Sequence, residues 1–301
     1  MNNKLVGSGI GLVLLIGFLF IIFGTKSETK IPLSSEAKEI EKLIKEDKLS
    51  EAKEEIEKIA QKKPELEGLG NIYFDLARAF ERKNNVIQAR DLYSLILNKY
   101  QNVDNILEVQ EGLGKLNISI LFSPIITSKD VSYTVEPGDS LSKIAKKFGT
   151  TIGLIKASNS LKSDVILANS KLKVSKQKYG ILVDKSQNVL TLLSKEGDIV
   201  KVYSVSTGEN NSTPVGTFKI VNRIKDPVWY NQGAIVPSES PDNVLGSRWL
   251  GFSKSGYGIH GTVDPDSVGT QATKGCVRMH NHDVEELYTI VAVGTKVTIS
   301  D

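Results

Sequence analysis

Cys276 is the only cysteine of the chain, and His260 is one of its three histidines. A thiol is a weak nucleophile and a thiolate a strong one, and an imidazole within reach can take the proton and hold the anion. The two residues stand 16 positions apart (276 − 260) in the stretch IHGTVDPDSVGTQATKGCVRM, residues 259–279. Gly261 follows the histidine, Gly269 lies midway and Gly275 precedes the cysteine. Glycine beside a nucleophile lets the backbone turn sharply and leaves amide hydrogens to face a developing oxyanion. A lone cysteine is more often a small buried hydrophobe, and a lone histidine is more often a satisfied core or surface residue. If the two meet, the chemistry they offer is nucleophilic attack by a thiolate.

The residues around the pair narrow this. His260-Gly261-Thr262, then Gly269, then Thr273-Lys274-Gly275-Cys276-Val277-Arg278-Met279 resembles the signature of the L,D-transpeptidase (YkuD-type) catalytic domain. Thr273 stands where that family usually has serine, and the hydroxyl is retained. Ser206-Thr207-Gly208, the run Thr213 to Phe218 and the run Asn243 to Trp249 resemble other stretches of the same family, with Val244 in place of a usual proline. The resemblance implies Cys276 as nucleophile and His260 as base, acting on a peptidoglycan stem tetrapeptide before its terminal D-alanine. It implies oxyanion donors among the amides near Lys274, Gly275 and Cys276, and the carbonyl beside the histidine, at Gly261, as the group that orients the imidazole. An amine of a diamino acid on a second stem would resolve the thioester as a 3→3 cross-link. Water in its place would make an L,D-carboxypeptidase, and a vestigial site would leave a non-catalytic peptidoglycan-binding scaffold.

Arg278 lies two residues past the cysteine, so an extended segment puts both on one side. It is a candidate to bind a substrate carboxylate, against a structural salt bridge. Thr273 and Tyr230 are further substrate-binding candidates. His280 and His282 read as structural or exposed. A zinc site built from them and Cys276 matches no common spacing and would consume the nucleophile, so neither metal nor cofactor is expected.

Four segments must carry this site. Residues 5–24, LVGSGIGLVLLIGFLFIIFG, are uncharged and long enough to span a bilayer as a helix, with no small-x-small cleavage site after them. They predict an uncleaved transmembrane signal anchor, with lysines on both sides that leave its orientation open. The resemblance to a wall-acting domain implies that the rest of the chain is extracytoplasmic. Residues 34–122 are charged and helix-favouring, and Ser50 is placed to cap the second helix. Lys83-Asn84-Asn85 marks a turn between a later pair. Aligning Ala52 with Ala89 gives a period of 37 (89 − 52), near the tetratricopeptide repeat's 34 or so. These helical hairpins predict a spacer or, alternatively, a groove for a protein partner.

Residues 132–176 alternate as strand, helix, helix, strand, with Ser140 as a cap and Gly149 as a stop. The run YTVEPGDSLSKIAKKFGTTIGLIKASN resembles a LysM module. That resemblance implies binding of wall glycan, with Gly138, Asp139, Ser140 and Leu141 at one loop of the cleft and residues 166–169 at the other. Residues 178–300 turn to β-branched runs separated by Gly/Asn turns, and predict a mostly-β antiparallel sheet or sandwich. The chain is therefore expected to be multidomain: anchor, helical region, LysM module, catalytic sandwich. The net charge of +3 over 301 residues, with no zinc-finger, Walker or dinucleotide pattern, speaks against nucleic acid. One cysteine makes no internal disulfide.

Overall fold

A computed structural model describes residues 35–231 and 233–301. The stretch 5–24, expected as the membrane anchor, lies outside the described residues. Among the described residues no helix is long and apolar enough to cross a membrane.

Five helices come first: α1 (Ser35–Lys45), α2 (Leu49–Lys62), α3 (Leu69–Arg82), α4 (Val86–Lys99) and α5 (Ile106–Leu121). Apolar residues three and four apart give each a stripe, and these stripes close on one core. Asn84 is left-handed (φ 58°), and Asn85 caps α4 by accepting from the Gln88 amide at 3.4 Å, which makes the turn expected there. Ser50 is not a cap. It lies inside α2, and Lys48 holds the cap position without a side-chain bond. No motif announced α5, because Gly112, Gly114 and the isoleucines weaken its intrinsic helix preference. Tertiary packing against α4 and the catalytic sheet holds it.

The next unit is β1 (Asp130–Thr134), α6 (Leu141–Phe148), α7 (Ile152–Ser158) and β2 (Lys171–Ser175), with β1 and β2 antiparallel. Ser140 caps α6 through the Lys143 amide at 3.3 Å, and Gly149 ends it in the left-handed region (φ 60°). Tyr133, Val135, Leu141, Ile144, Ile155, Leu172 and Val174 form its own small core. Leu141, expected at the glycan cleft, is 2% exposed, so its side chain serves the core and not the ligand.

The remaining elements are β3 (Tyr179–Asp184), β4 (Val189–Ser194), β5 (Ile199–Ser204), β6 (Thr207–Gly208), β7 (Gly216–Lys225), β8 (Trp229–Asn231), β9 (Ala234–Val236), β10 (Arg248–Phe252), β11 (Gly258–His260), β12 (Gln271–Thr273), β13 (Val277–Arg278), α8 (Asn281–Ile290) and β14 (Lys296–Ser300). Eight strands join in the order β13-β11-β10-β7-β14-β3-β4-β5. The sheet is mixed, since β11·β13 and β14·β3 run parallel. The two halves of the sheet are joined through the long strand β7, which belongs to both. Gly216–Lys219 pairs with β14, and Ile220–Lys225 pairs with β10. Both halves and α8 bury their apolar faces in one core, which includes Val183, Leu190, Leu250, Ile259, Val277, Val284 and Leu287.

Candidate active site

The site lies where β11 and β13 run side by side at one end of the sheet. Their parallel register pairs Ile259 with Val277 and His260 with Arg278. Ile259 and Val277 are fully buried in the core, so the alternation of a strand turns His260 and Arg278 to the opposite face. Cys276 immediately precedes Val277 and adjoins that face. Strands 16 residues apart in sequence are thus set side by side, and the loop between them pairs through β12 with β6.

The cysteine sits at the tip of a tight turn. Gly275 has φ +119°, a conformation L-residues rarely adopt, and a Cβ there would lie 2.8 Å from the Tyr257 ring. Thr273 braces the turn from inside. Its hydroxyl donates to the Cys276 carbonyl at 2.7 Å and accepts from the Gly275 amide at 3.1 Å. Thr273 is only 5% exposed, so this residue, expected to meet substrate, holds the Cys276 backbone instead. The same bond engages the Gly275 amide, one of the expected oxyanion donors. Lys274 is exposed beside it.

His260 is 3% exposed and its Nδ1 lies 2.7 Å from the Gly261 carbonyl oxygen. A carbonyl only accepts, so Nδ1 carries the proton and Nε2 is the basic nitrogen. The imidazole stacks on its cross-strand neighbour Trp249, with centroids 6.1 Å apart and planes at 20°. Burial pushes the His260 pKa down to about 4. The Gly261 carbonyl opposes this, and the Arg278 guanidinium adds to it. The Cys276 thiol is half-buried and donates to the Gly256 carbonyl at 3.6 Å. Burial pushes its pKa up, while the Gly258 backbone and Arg278 pull it down. Both shifts favour the uncharged forms, thiol and imidazole, at neutral pH.

Arg278 donates through Nη1 to Ser267 Oγ at 2.8 Å, and its buried Nε has no hydrogen-bond partner. No carboxylate forms a salt bridge with it among the described residues, so the structural ion pair weighed for it is absent. Tyr230 sits apart, on the β8–β9 hairpin, where it pairs with Ile235 and is 74% exposed. His280 and His282 stack on each other with centroids 5.5 Å apart, and the described residues hold no cluster of three or more metal-binding side chains. In the LysM unit, Asp139 accepts from Tyr133 Oη at 2.7 Å and the Glu136 amide at 2.9 Å. Those bonds hold its carboxyl below the usual range, the Glu136 amide first. Gly138 is left-handed (φ +85°), with open space where a side chain would stand.

Sequence reasoning passed over four contributors. Trp249 backs the imidazole, Tyr257 walls Gly275, and Ser267 holds Arg278. Asn281 ties the parts together. Its Oδ1 accepts from the amides of Ser247 (3.1 Å) and Thr262 (3.0 Å), and its Nδ2 donates to the Thr262 carbonyl at 2.8 Å. Gly261 has no room for a side chain, since a Cβ would lie 2.1 Å from that Oδ1. The signal for Trp249 was its alternation along an apolar strand. Asn281 offered none beyond its place at the head of a helix.

Comparison with known proteins gives two family matches. Residues 178–299 match the L,D-transpeptidase catalytic domain, YkuD, and residues 133–175 match the LysM domain. The protein named L,D-transpeptidase YkuD of Bacillus subtilis (strain 168) is 36% identical over 177 residues, which is 56% of this chain and 99% of that protein. The L,D-transpeptidase YqjB of the same organism is 39% identical over 127 residues, 40% of this chain and 70% of that protein. Among solved structures, L,D-transpeptidase 3 from Mycobacterium tuberculosis with a faropenem-derived adduct is 17% identical with a TM-score of 0.36. That match covers 44% of this chain and about two thirds (65%) of the other. With a relative of more than a third identity matched from end to end, and a LysM unit ahead of the catalytic domain, the chain belongs to the L,D-transpeptidase family of which YkuD is the namesake.

Proposed function

We propose that the protein is a peptidoglycan L,D-transpeptidase working through a Cys276 thioester. The observation that carries this is the parallel β11–β13 register, which gives His260, Arg278 and the neighbouring Cys276 a common face. Nε2 of His260 takes the thiol proton as Sγ attacks the carbonyl before the terminal D-alanine of a stem tetrapeptide. A thiolate formed only in this step suits two groups that rest neutral. The amides of Lys274 and Cys276 stabilise the oxyanion. Gly275 joins them if the Thr273 hydroxyl releases its amide on binding. The imidazolium then protonates the leaving D-alanine amine, with the Gly261 carbonyl steadying its charge. An amine from a second stem attacks the thioester, His260 takes that proton, and a 3→3 cross-link forms with the thiol regenerated.

Arg278, with a donor to spare, receives a substrate carboxylate. Tyr230 contributes an apolar, rotatable wall from its hairpin. The LysM loop at Gly138–Ser140 grips the glycan, residues 5–24 anchor the chain in the membrane, and the catalytic domain works outside it. The helical region offers a surface to a protein partner. The domain bounds that go with this reading are 5–24, 34–122, 132–176 and 178–300.

Purified protein given defined muropeptides should release D-alanine and yield dimers. Tripeptide without dimers would replace transfer by hydrolysis. A carbapenem should leave a mass adduct on the chain that Cys276→Ala abolishes. An adduct unchanged in that variant would sink the thioester.

A further inference from the structure

The LysM unit is not strung on a tether. Three residues, Lys176 to Lys178, separate its last strand from β3 of the catalytic sheet. Leu154 of α7, 1% exposed, packs into the catalytic core and not into the LysM core. Beside it, the Thr151 hydroxyl donates to the Thr289 carbonyl on α8, and Gly153 lies flat against Thr289. On another side Lys173 reaches out of β2 to the end of α5. Its Nζ donates to the carbonyls of Ile120 (2.7 Å) and Ser123 (2.9 Å) and lies 3.7 Å from Asp130. The Lys173 and Asp130 side chains are 2% and 3% exposed, so the pair is sealed from water. Lys178, just before β3, donates to the Gly149 carbonyl at 2.8 Å and also to that of Phe148, closing the end of α6. The unit is thus fixed to the helical region and to α8, whose first residue, Asn281, holds the His260 loop. Its glycan-side loops remain free, with Val165 and Leu167 74% and 72% exposed.

We propose that this docking makes the enzyme select stem peptides still attached to a glycan strand, at one register from the sugars that the LysM unit grips. The inference rests on the reading of the site given above. Thr151, Gly153, Leu154 and Lys173 are then positioning residues. Two sites joined rigidly raise each other's effective concentration only for a ligand whose span matches theirs. A flexible tether would spread the gain over many spans and lower its peak. A fixed LysM unit therefore discriminates by length and attachment, whereas a mobile one would supply only general adhesion to the wall.

Gly153 offers the clean perturbation. A Cβ there would meet Thr289 Cγ2 at 3.5 Å, an ordinary contact, so Gly153→Ala keeps the docking. Gly153→Arg wedges α7 from α8, while its position outside the LysM core leaves that unit folded. Each variant is made in the full chain carrying Cys276→Ala, so binding is read without turnover. The probes are glycan oligomers of graded length, with and without tetrapeptide stems, and the free stem. Affinity for stem-bearing oligomers should step up on the order of a hundredfold at one length. Gly153→Ala should keep the step and Gly153→Arg should lose it, with bare glycan and free stem bound as before. A ten-residue Gly/Ser insertion after Lys176 combined with Leu154→Ala should act like the wedge. Spin labels on the LysM unit and the catalytic domain should report one narrow distance in the parent chain. A broad distribution there, a smooth rise of affinity with length, or a step that survives undocking would overturn the proposal. Failure of the thioester reading shows separately, as a wild-type chain on which a carbapenem, which needs no glycan, leaves no mass adduct.

Discussion

His260 combines full burial with a hydrogen-bonded Nδ1, and its protonation has consequences for both rate and stability. Burial first, and Arg278 second, keep the imidazole neutral down to about pH 4, while burial keeps the Cys276 thiol protonated. Acylation by a carbapenem should therefore hold nearly level from neutral pH downward and fall only as pH approaches 4. A limb near the ordinary histidine value of about 6.5 would instead show a site in which the imidazole charges readily. Simple alkylation of the resting thiol by iodoacetamide at neutral pH should be slower than that of free cysteine, and a faster reaction would mean a preformed thiolate. For stability, the folded pKa lies below the unfolded one, so the unfolded chain binds the extra proton first. The contribution is fully present above about pH 6.5 and is lost as pH falls towards 4, up to about 3 kcal/mol. Chemical unfolding at both pH values should show this loss in the parent chain and little of it in His260→Gln.

Asn281 acts at the scale of elements, since one side chain joins the head of α8, the start of β10 and the loop after β11. Asn281→Ala leaves the Ser247 and Thr262 amides and one carbonyl to water. The residue is itself exposed, so the loss should be modest, about 1 to 2 kcal/mol in urea unfolding. The effect on rate should be larger, because the Gly261 carbonyl that orients His260 belongs to the freed loop. Acylation should slow about tenfold or more, with the pH limb moved upward as water reaches the imidazole. Equal rates would leave Asn281 as a simple structural tie. Asn281→Asp keeps the acceptor and loses the Nδ2 donor, and should fall between.

The contrast between such ties and the motif shows what the sequence could and could not reveal. Fixed spacing made Cys276, His260 and Arg278 readable, and β-branched runs between Gly/Asn turns made the mostly-β character of residues 178–300 readable. The LysM pattern located its helices to within about a residue. What stayed hidden depends on contacts distant in the chain: the parallel pairings, the use of Thr273 inside its turn, and the reach of Asn281 over 19 to 34 residues. Leu141, apolar on the inner face of its helix, packs in the core as that spacing expects, and only the resemblance set it at the glycan loop, since a cleft loop and a core position adjoin. The helix α5 went unseen because its glycines are favourable only against the neighbours they approach.

At the scale of the whole molecule, the helical region is built onto the catalytic domain and is no detached spacer. β5 is an edge of the eight-stranded sheet, with backbone groups that need partners. α5 lies along it, and Asn117 donates to the Val200 carbonyl at 2.9 Å and the Ile199 carbonyl at 3.4 Å. Ile118 and Leu121 enter the catalytic core from α5, while Ile199 packs from β5 against the helical core. Behind them Lys201, against Gly114, binds Glu286 of α8 at 2.7 Å, and Tyr203 Oη binds the same carboxylate oxygen at 2.7 Å. Two cores that exchange side chains in this way should melt together, in one transition by helical and β-sheet signals alike. Asn117→Asp replaces the donor with a carboxylate facing two carbonyl oxygens. It should cost about 2 to 3 kcal/mol, against about 1 for Asn117→Ala. Weakening the joint should also separate the transitions, the helices melting before the sheet. Removing residues 35–122 takes the cover from β5 altogether, and the remaining LysM–catalytic chain should self-associate through that edge, visible by sedimentation as a weight-average mass that rises with concentration. A stable monomer with an unchanged sheet signal would mean that α5 rests on the edge without protecting it.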